Sequence, residues 1–200
     1  GSTGAAGSSG AGVSGGTGTV TYHGTEMGNA IDTTFGGASG KVGRNLYAPV
    51  YMFMPPPQAI SDEMYNRIPA QANGYYSAEE RKRAFRDYYA RTGDTWRLKK
   101  TVPLNQRNPL WEILQDAGYD PATADFKAGR QLKPVVLDFV IAPASPGKRP
   151  ELVDLQLVSS SGYAEIDEAV MYGFRQATYF NNTGNAISGR FTYGFDQGGK

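Results

Sequence analysis

The sequence predicts an α+β fold: a small three-stranded antiparallel sheet (β-β-α-β) packed on a helix, with additional N-terminal helices and an extended Gly-rich arm. Three observations predict it. Two runs of alternating polarity, 134–143 and 152–158, are separated by turn chemistry. An apolar stripe at helical spacing follows them. A third alternating run, 188–195, completes the pattern.

In chain order, residues 1–18 are almost entirely Gly, Ser, Thr and Ala. That composition buries little apolar surface and predicts a flexible linker. The letters Gly12-Val13-Ser14-Gly15-Gly16 match a nucleophile elbow. An elbow needs a strand before it and a helix after it, and neither is predicted here, so the match carries no chemistry. Residues 19–76 read as an extended arm with little regular structure. It holds short β-prone pieces at 19–22 and 46–54, many glycines, and Pro55-Pro56-Pro57, a stiff polyproline-II element.

Residues 77–132 read as a helical extension. Ser77 with Glu80 three residues later forms a capping box. Ala84, Phe85, Tyr88 and Tyr89 share one face of the helix, and Gly93 is its predicted stop. Arg81, Lys82, Arg83 and Arg86 occupy the other face and read as solvated surface, with a binding patch for an anionic partner as the alternative. A second helix is predicted over 109–117, with Asn108 as N-cap, Pro109 at its first position and Gly118 as C-cap glycine.

Residues 133–196 form the predicted C-terminal domain. In its first strand Val135, Leu137, Phe139 and Ile141 share a face. Ala144-Ser145-Pro146-Gly147-Lys148 supplies the turn. In the second strand Val153, Leu155 and Leu157 oppose Asp154 and Gln156. After Ser159-Ser160-Ser161-Gly162, the residues Ile166, Ala169, Val170, Gly173, Phe174 and Ala177 make a continuous helical stripe. Glu165, Asp167 and Glu168 crowd its first turn and Arg175 lies near its end, both suited to the helix dipole. A turn at 181–185 leads to the last strand. There Ile187, Phe191, Tyr193 and Phe195 alternate with Ser188, Arg190, Thr192 and Gly194.

Composition bounds the chemistry. A net charge of +1 lacks the dense cationic field that a nucleic-acid binder needs, so no nucleic-acid partner is expected. The absence of Cys excludes disulfides, thiol nucleophiles and thiolate metal sites. The single histidine, His23, makes a zinc site unexpected. The acids Glu79, Glu80, Glu165, Asp167 and Glu168 sit near helix starts, where they serve the dipole. Neither catalysis nor a cofactor is therefore expected. No apolar run approaches the roughly 20 residues that span a bilayer.

The linked motifs of the last third resemble the C-terminal domain of TonB/TolA-type proteins. The matching letters are Val158, Ser160-Ser161-Gly162, Ile166-Asp167-Glu168-Ala169, Arg175 and Tyr179, between strands at 134–140 and 188–195. The resemblance covers about 65 residues. Phe180-Asn181-Asn182 departs from it, since the family places Pro after the helix-end aromatic, and 118–132 reads as an insertion.

The resemblance implies a periplasmic energy transducer without catalysis, anchored in the inner membrane by a segment upstream and driven there by a proton-motive motor complex. It implies capture of a peptide from an outer-membrane transporter by strand addition. The family's last strand supplies that edge. Carried over, the partner-binding residues are Ser188, Gly189, Arg190, Phe191, Thr192, Tyr193, Gly194 and Phe195. Self-association as a homodimer, and an envelope adaptor of the same fold without energy coupling, are the further expectations.

Overall fold

The computed structural model describes residues 7–12, 18–37, 42–46, 48–123 and 125–196. The rest of the predicted linker, 1–6 and 13–17 with the elbow-like letters from Val13 onward, lies outside them. In chain order the elements are β1 (Gly7–Gly12), β2 (Val20–Glu26), β3 (Asn29–Phe35), β4 (Val42–Leu46), β5 (Ala59–Ser61), α1 (Asp62–Asn66), α2 (Ala78–Arg86), β6 (Tyr89–Thr92), β7 (Thr95–Leu98) and α3 (Leu104–Asp116). There follow β8 (Val135–Ala142), β9 (Glu151–Ser159), α4 (Ala164–Arg175), β10 (Ala177–Asn181) and β11 (Ile187–Tyr193). The chain forms two compact units: 52–130, and a discontinuous unit made of the segments on either side of it.

The discontinuous unit is built on a six-stranded antiparallel sheet of order β1-β2-β3-β11-β8-β9. The predicted α+β class and the β-β-α-β order are present, but the three-stranded sheet is half of a larger one. Its other half comes from the stretch predicted as linker and arm. β2 and β3 join through a two-residue loop, Met27-Gly28, with φ of +48° and +81°. Two positive φ values in a row are what a tight hairpin with native strand twist requires.

One face of the sheet is apolar and covered. Ile31, Phe35, Phe191, Tyr193, Val135, Leu137, Phe139 and Ile141 are all buried. Ile166, Ala169, Val170 and Phe174 of α4 are buried as well, and Phe174 meets Phe139 and Phe191 at 4.9 Å between ring centres. The opposite face is polar: Thr21 bonds Thr34, His23 bonds Asp32 at 2.5 Å, and Arg190 grips Asp138.

α4 has no side-chain N-cap at Tyr163. Asp167 reaches back from inside the helix, accepting the Ser161 N–H at 2.7 Å and the Ser160 hydroxyl. This is the physical content of the Ser-Ser-Gly…Asp pattern. A missing cap costs about 1 kcal/mol. Burying each large stripe residue contributes roughly 1.5–3 kcal/mol, so packing decides the helix. The stripe ends earlier than predicted, because Ala177 belongs to β10, which pairs with β4 in a two-stranded ribbon.

Residues 52–130 form the second unit. The capping box of Ser77 and Glu80 is present, but α2 stops at Arg86. Gly93, the predicted stop, is instead in the two-residue turn between β6 and β7, at φ +65°. Tyr89 therefore leaves the helix and stacks on Phe85 from β6, 4.4 Å between centres. Arg81, expected on a solvated face, is buried. It donates to Asp116 of α3 at 2.6 Å and to the Pro69 carbonyl at 2.9 Å.

α3 starts at Leu104, with Pro109 in its interior and Asn108 also helical. Pro103 supplies the chain entry, and its carbonyl accepts the Gln106 N–H at 2.9 Å. The Pro55-Pro56-Pro57 stretch is packed within this unit: Pro56 and Pro57 are buried, Trp111 donates to the Met54 carbonyl, and Tyr89 donates to the Pro57 carbonyl.

Candidate strand-addition edge

The expected edge, 188–195, is an interior strand. Gly189 to Tyr193 pair with Phe35 to Ile31 of β3 on one side, and Ile187 to Tyr193 pair with Ile141 to Val135 of β8 on the other. Every predicted site residue is placed by structural contacts. Ser188 accepts the Gly36 N–H through its carbonyl at 2.8 Å. A Cβ on Gly189 would lie 2.3 Å from the Phe139 ring, which covers the glycine. Arg190 makes two bonds to Asp138, at 2.7 and 3.0 Å. This pairing holds the Asp138 carboxyl below its ordinary value.

Phe191 and Tyr193 are fully buried, while Thr192 stands between Asp32 and Val136 on the polar face. Gly194 donates to the Ala30 carbonyl at 2.8 Å, and Phe195 packs edge-on to Tyr193. The arm predicted as irregular has therefore filled the edge on which partner capture was expected.

The outer strand on the β8 side is β9. Among the described residues it pairs only with β8, and Val153, Leu157 and Val158 are exposed at 55%, 41% and 50%. Register shifts leave Val153 and Val158 without partners on β8, so both sit at bulges. A bulge re-aims its side chain, and Val153 consequently departs from the face predicted for it with Leu155 and Leu157. Between the bulges, 154–157 is a regular ladder. Natural proteins blunt exposed edges with charge and bulges. β9 has the bulges but keeps an apolar rim.

A cleft of about 660 Å³ lies at the Glu151 end of β9. Arg149, Pro150, Glu151 and Leu152 form one wall, and Arg175 with the start of β10 forms the other. Arg149 and Arg175 are exposed, and neither has an ion-pair partner among the described residues. Tyr179 also lines the cleft; it donates to the Phe174 carbonyl at 2.8 Å, and burial pushes its hydroxyl up to about 12.

A second polar group lies inside the sheet's apolar side. Glu26 accepts the Val50 and Tyr51 N–H groups at 2.9 Å each, together with the Tyr193 hydroxyl. Burial nevertheless raises its carboxyl above the ordinary value. Arg44 lies over the rings of Phe174 and Phe191 at 4.7 and 4.5 Å, and its Nε and Nη1 have no hydrogen-bond partner. Burial lowers its pKa to about 10. The aromatic faces attract the guanidinium electrostatically, and the Glu26 carboxyl acts on it as well.

Among the described residues, no group of three His, Asp or Glu side chains could hold a metal ion. No helix among them is long and apolar enough to cross a membrane. The acids weighed for catalysis have structural partners where their contacts are seen: Glu79 pairs with Arg86, Glu80 closes the capping box and Asp167 accepts from the Ser160-Ser161 turn. In comparisons with known proteins, no family model, curated protein or solved structure matches the chain.

The alternation of β8, β9 and β11 is readable in sequence, and the β9 residues lie within it. What sequence reasoning missed was the β2–β3 hairpin and the strand order. The signal that could have found the hairpin is the pair of alternating runs at 20–26 and 29–35, separated by two residues ending in Gly.

Proposed function

We propose that the chain is a non-catalytic, periplasmic protein of the TonB type that captures an extended segment of an outer-membrane transporter by strand addition, with β9 as the receiving edge. The observation that carries this reading is an outer strand with free backbone groups and an apolar rim of Val153, Leu157 and Val158. Main-chain pairing supplies affinity in this mode, and alternate side chains supply selectivity. Transmission of proton-motive energy from an inner-membrane motor complex rests on the resemblance of the 158–179 motifs.

Titration of the labelled protein with peptides from outer-membrane transporters, followed by amide NMR, tests the reading. Shifts confined to β9, reduced in Val158→Lys, support it. Shifts at β11 with loss of the β3 pairing would place capture at the expected strand and overturn the β9 assignment. No shift with any such peptide would overturn the strand-addition reading.

A second reading is an envelope adaptor of the same architecture without energy coupling. The filled edge of β11 favours it, because the family's receiving strand is occupied within the chain. Receptor-dependent uptake in a deletion strain discriminates the two: a transducer is required for it and an adaptor is not.

A further inference from the structure

We infer that the cleft at the Glu151 end of β9 receives the C-terminal carboxylate of the captured segment, so that the preferred partner is an extended peptide ending in a free carboxylate. This rests on the strand-addition reading at β9 and deepens it by fixing direction and end-group chemistry.

Direction comes first. Every ladder in the sheet is antiparallel, and antiparallel pairing is slightly the more stable per residue. β9 runs from Glu151 to Ser159. An antiparallel segment added to it therefore ends at Glu151. The ladder also ends there, because the preceding residue is Pro150, which has no N–H to offer.

Charge complementarity comes second. The partner's last residue arrives at the cleft walled by Arg149 and Arg175, two guanidinium groups from separate elements. Both are exposed and free of carboxylate partners among the described residues. The only carboxylate in the lining, Glu151, leaves the rim one charge positive. Guanidinium presents paired donors that match a carboxylate's two oxygens. Tyr179 is already committed to the Phe174 carbonyl and stays neutral, so the arginines are the groups that read the terminus.

The probe is a peptide with the sequence of residues 151–159, labelled with a fluorophore at its N-terminus. Its antiparallel register centred on Leu155 places Leu155 opposite Leu155, Asp154 opposite Gln156, and Val153 opposite Leu157. No like charges meet in that register. Fluorescence anisotropy compares the free acid with the C-terminal amide. The free acid is expected to bind about two- to fivefold more tightly, the scale of exposed ion pairs. In the Arg149→Ala/Arg175→Ala double variant, the acid is expected to fall to the affinity of the amide.

Both arginines are exposed, and circular dichroism checks that the variant retains the fold. Equal affinity of acid and amide for the native protein would overturn the inference and leave strand addition standing. A preference for the acid that persists in the double variant would overturn it as well. Failure of both forms to bind would overturn the inference too, while the titration with transporter peptides decides the strand-addition reading.

Discussion

Gly189 shows how a single missing side chain holds the sheet together. It lies opposite Phe139 on β8 and Phe35 on β3, and the Phe139 ring fills the space above it. An added Cβ would meet that ring at 2.3 Å and the Thr34 carbonyl at 2.8 Å. The backbone contact cannot move away as a flexible side chain could. Gly189→Ala is expected to lose about 1–3 kcal/mol in urea unfolding, the usual range for overpacking. Gly36→Ala is the control, since its Cβ would meet only the Ser188 carbonyl, at 3.6 Å, and a change within about 0.5 kcal/mol is expected.

Glu26 makes a different residue-scale statement. Its folded carboxyl holds a proton more tightly than the ordinary 4.5, because desolvation outweighs the three donors facing it and the Arg44 charge. Its contribution to stability is full below that ordinary value and is lost as pH rises through the raised one. The urea midpoint is expected to fall with rising pH above 4.5, and this slope to flatten in Glu26→Gln. That variant also turns an amide N–H₂ toward backbone donors, at a cost of about 1–3 kcal/mol.

At the scale of elements, α4 and its preceding turn act as one piece. Asp167 ties Ser160 and Ser161 to the helix, in place of a side chain at the N-cap. Asp167→Ala leaves the buried Ser161 N–H without that acceptor and is expected to destabilise by about 1–3 kcal/mol, measured by thermal or urea unfolding. Strand position makes a second prediction. Amides 187–193 are expected to exchange slowly with deuterium, because β11 is bonded on both sides, while alternate amides of β9 exchange fast.

These elements also show what the sequence could convey. Local signals placed β8, β9, α4, β11 and the α2 capping box, because each rests on periodicity or on contacts three residues apart. Long-range pairing left no such mark. Nothing in 29–35 names 189–193 as its partner, although the two pair residue by residue. Composition misled in the arm. Gly43, which looks like linker, is a place where the Phe180 ring lies against the backbone. Gly93 and Gly28 shape two-residue hairpin turns. The β9 edge was readable as a strand, but not as an edge, because that depends on the order of all six strands.

At the scale of the whole molecule, the part that resembles a TonB-type domain is incomplete by itself. Residues 131–196 contribute β8, β9, α4, β10 and β11, while β2, β3 and β4 come from the far side of the 52–130 insertion. Without β3, the β11 ladder loses its partner for Gly189 to Tyr193, and Phe35 leaves its contact with Phe139. An exposed strand with apolar neighbours associates or unfolds. A fragment spanning 131–200 is therefore expected to lack a cooperative thermal transition. Added peptide 18–37 carries the β2–β3 hairpin and is expected to restore both the transition and slow exchange at 187–193. The hairpin supplies Ile31 and Phe35 to the core as well as backbone pairing, so Phe35→Ala in the peptide is expected to weaken rescue markedly. Calorimetry of the fragment with each peptide checks this. A fragment that melts cooperatively alone would show that β11 tolerates an open side, returning that strand to contention as the receiving edge.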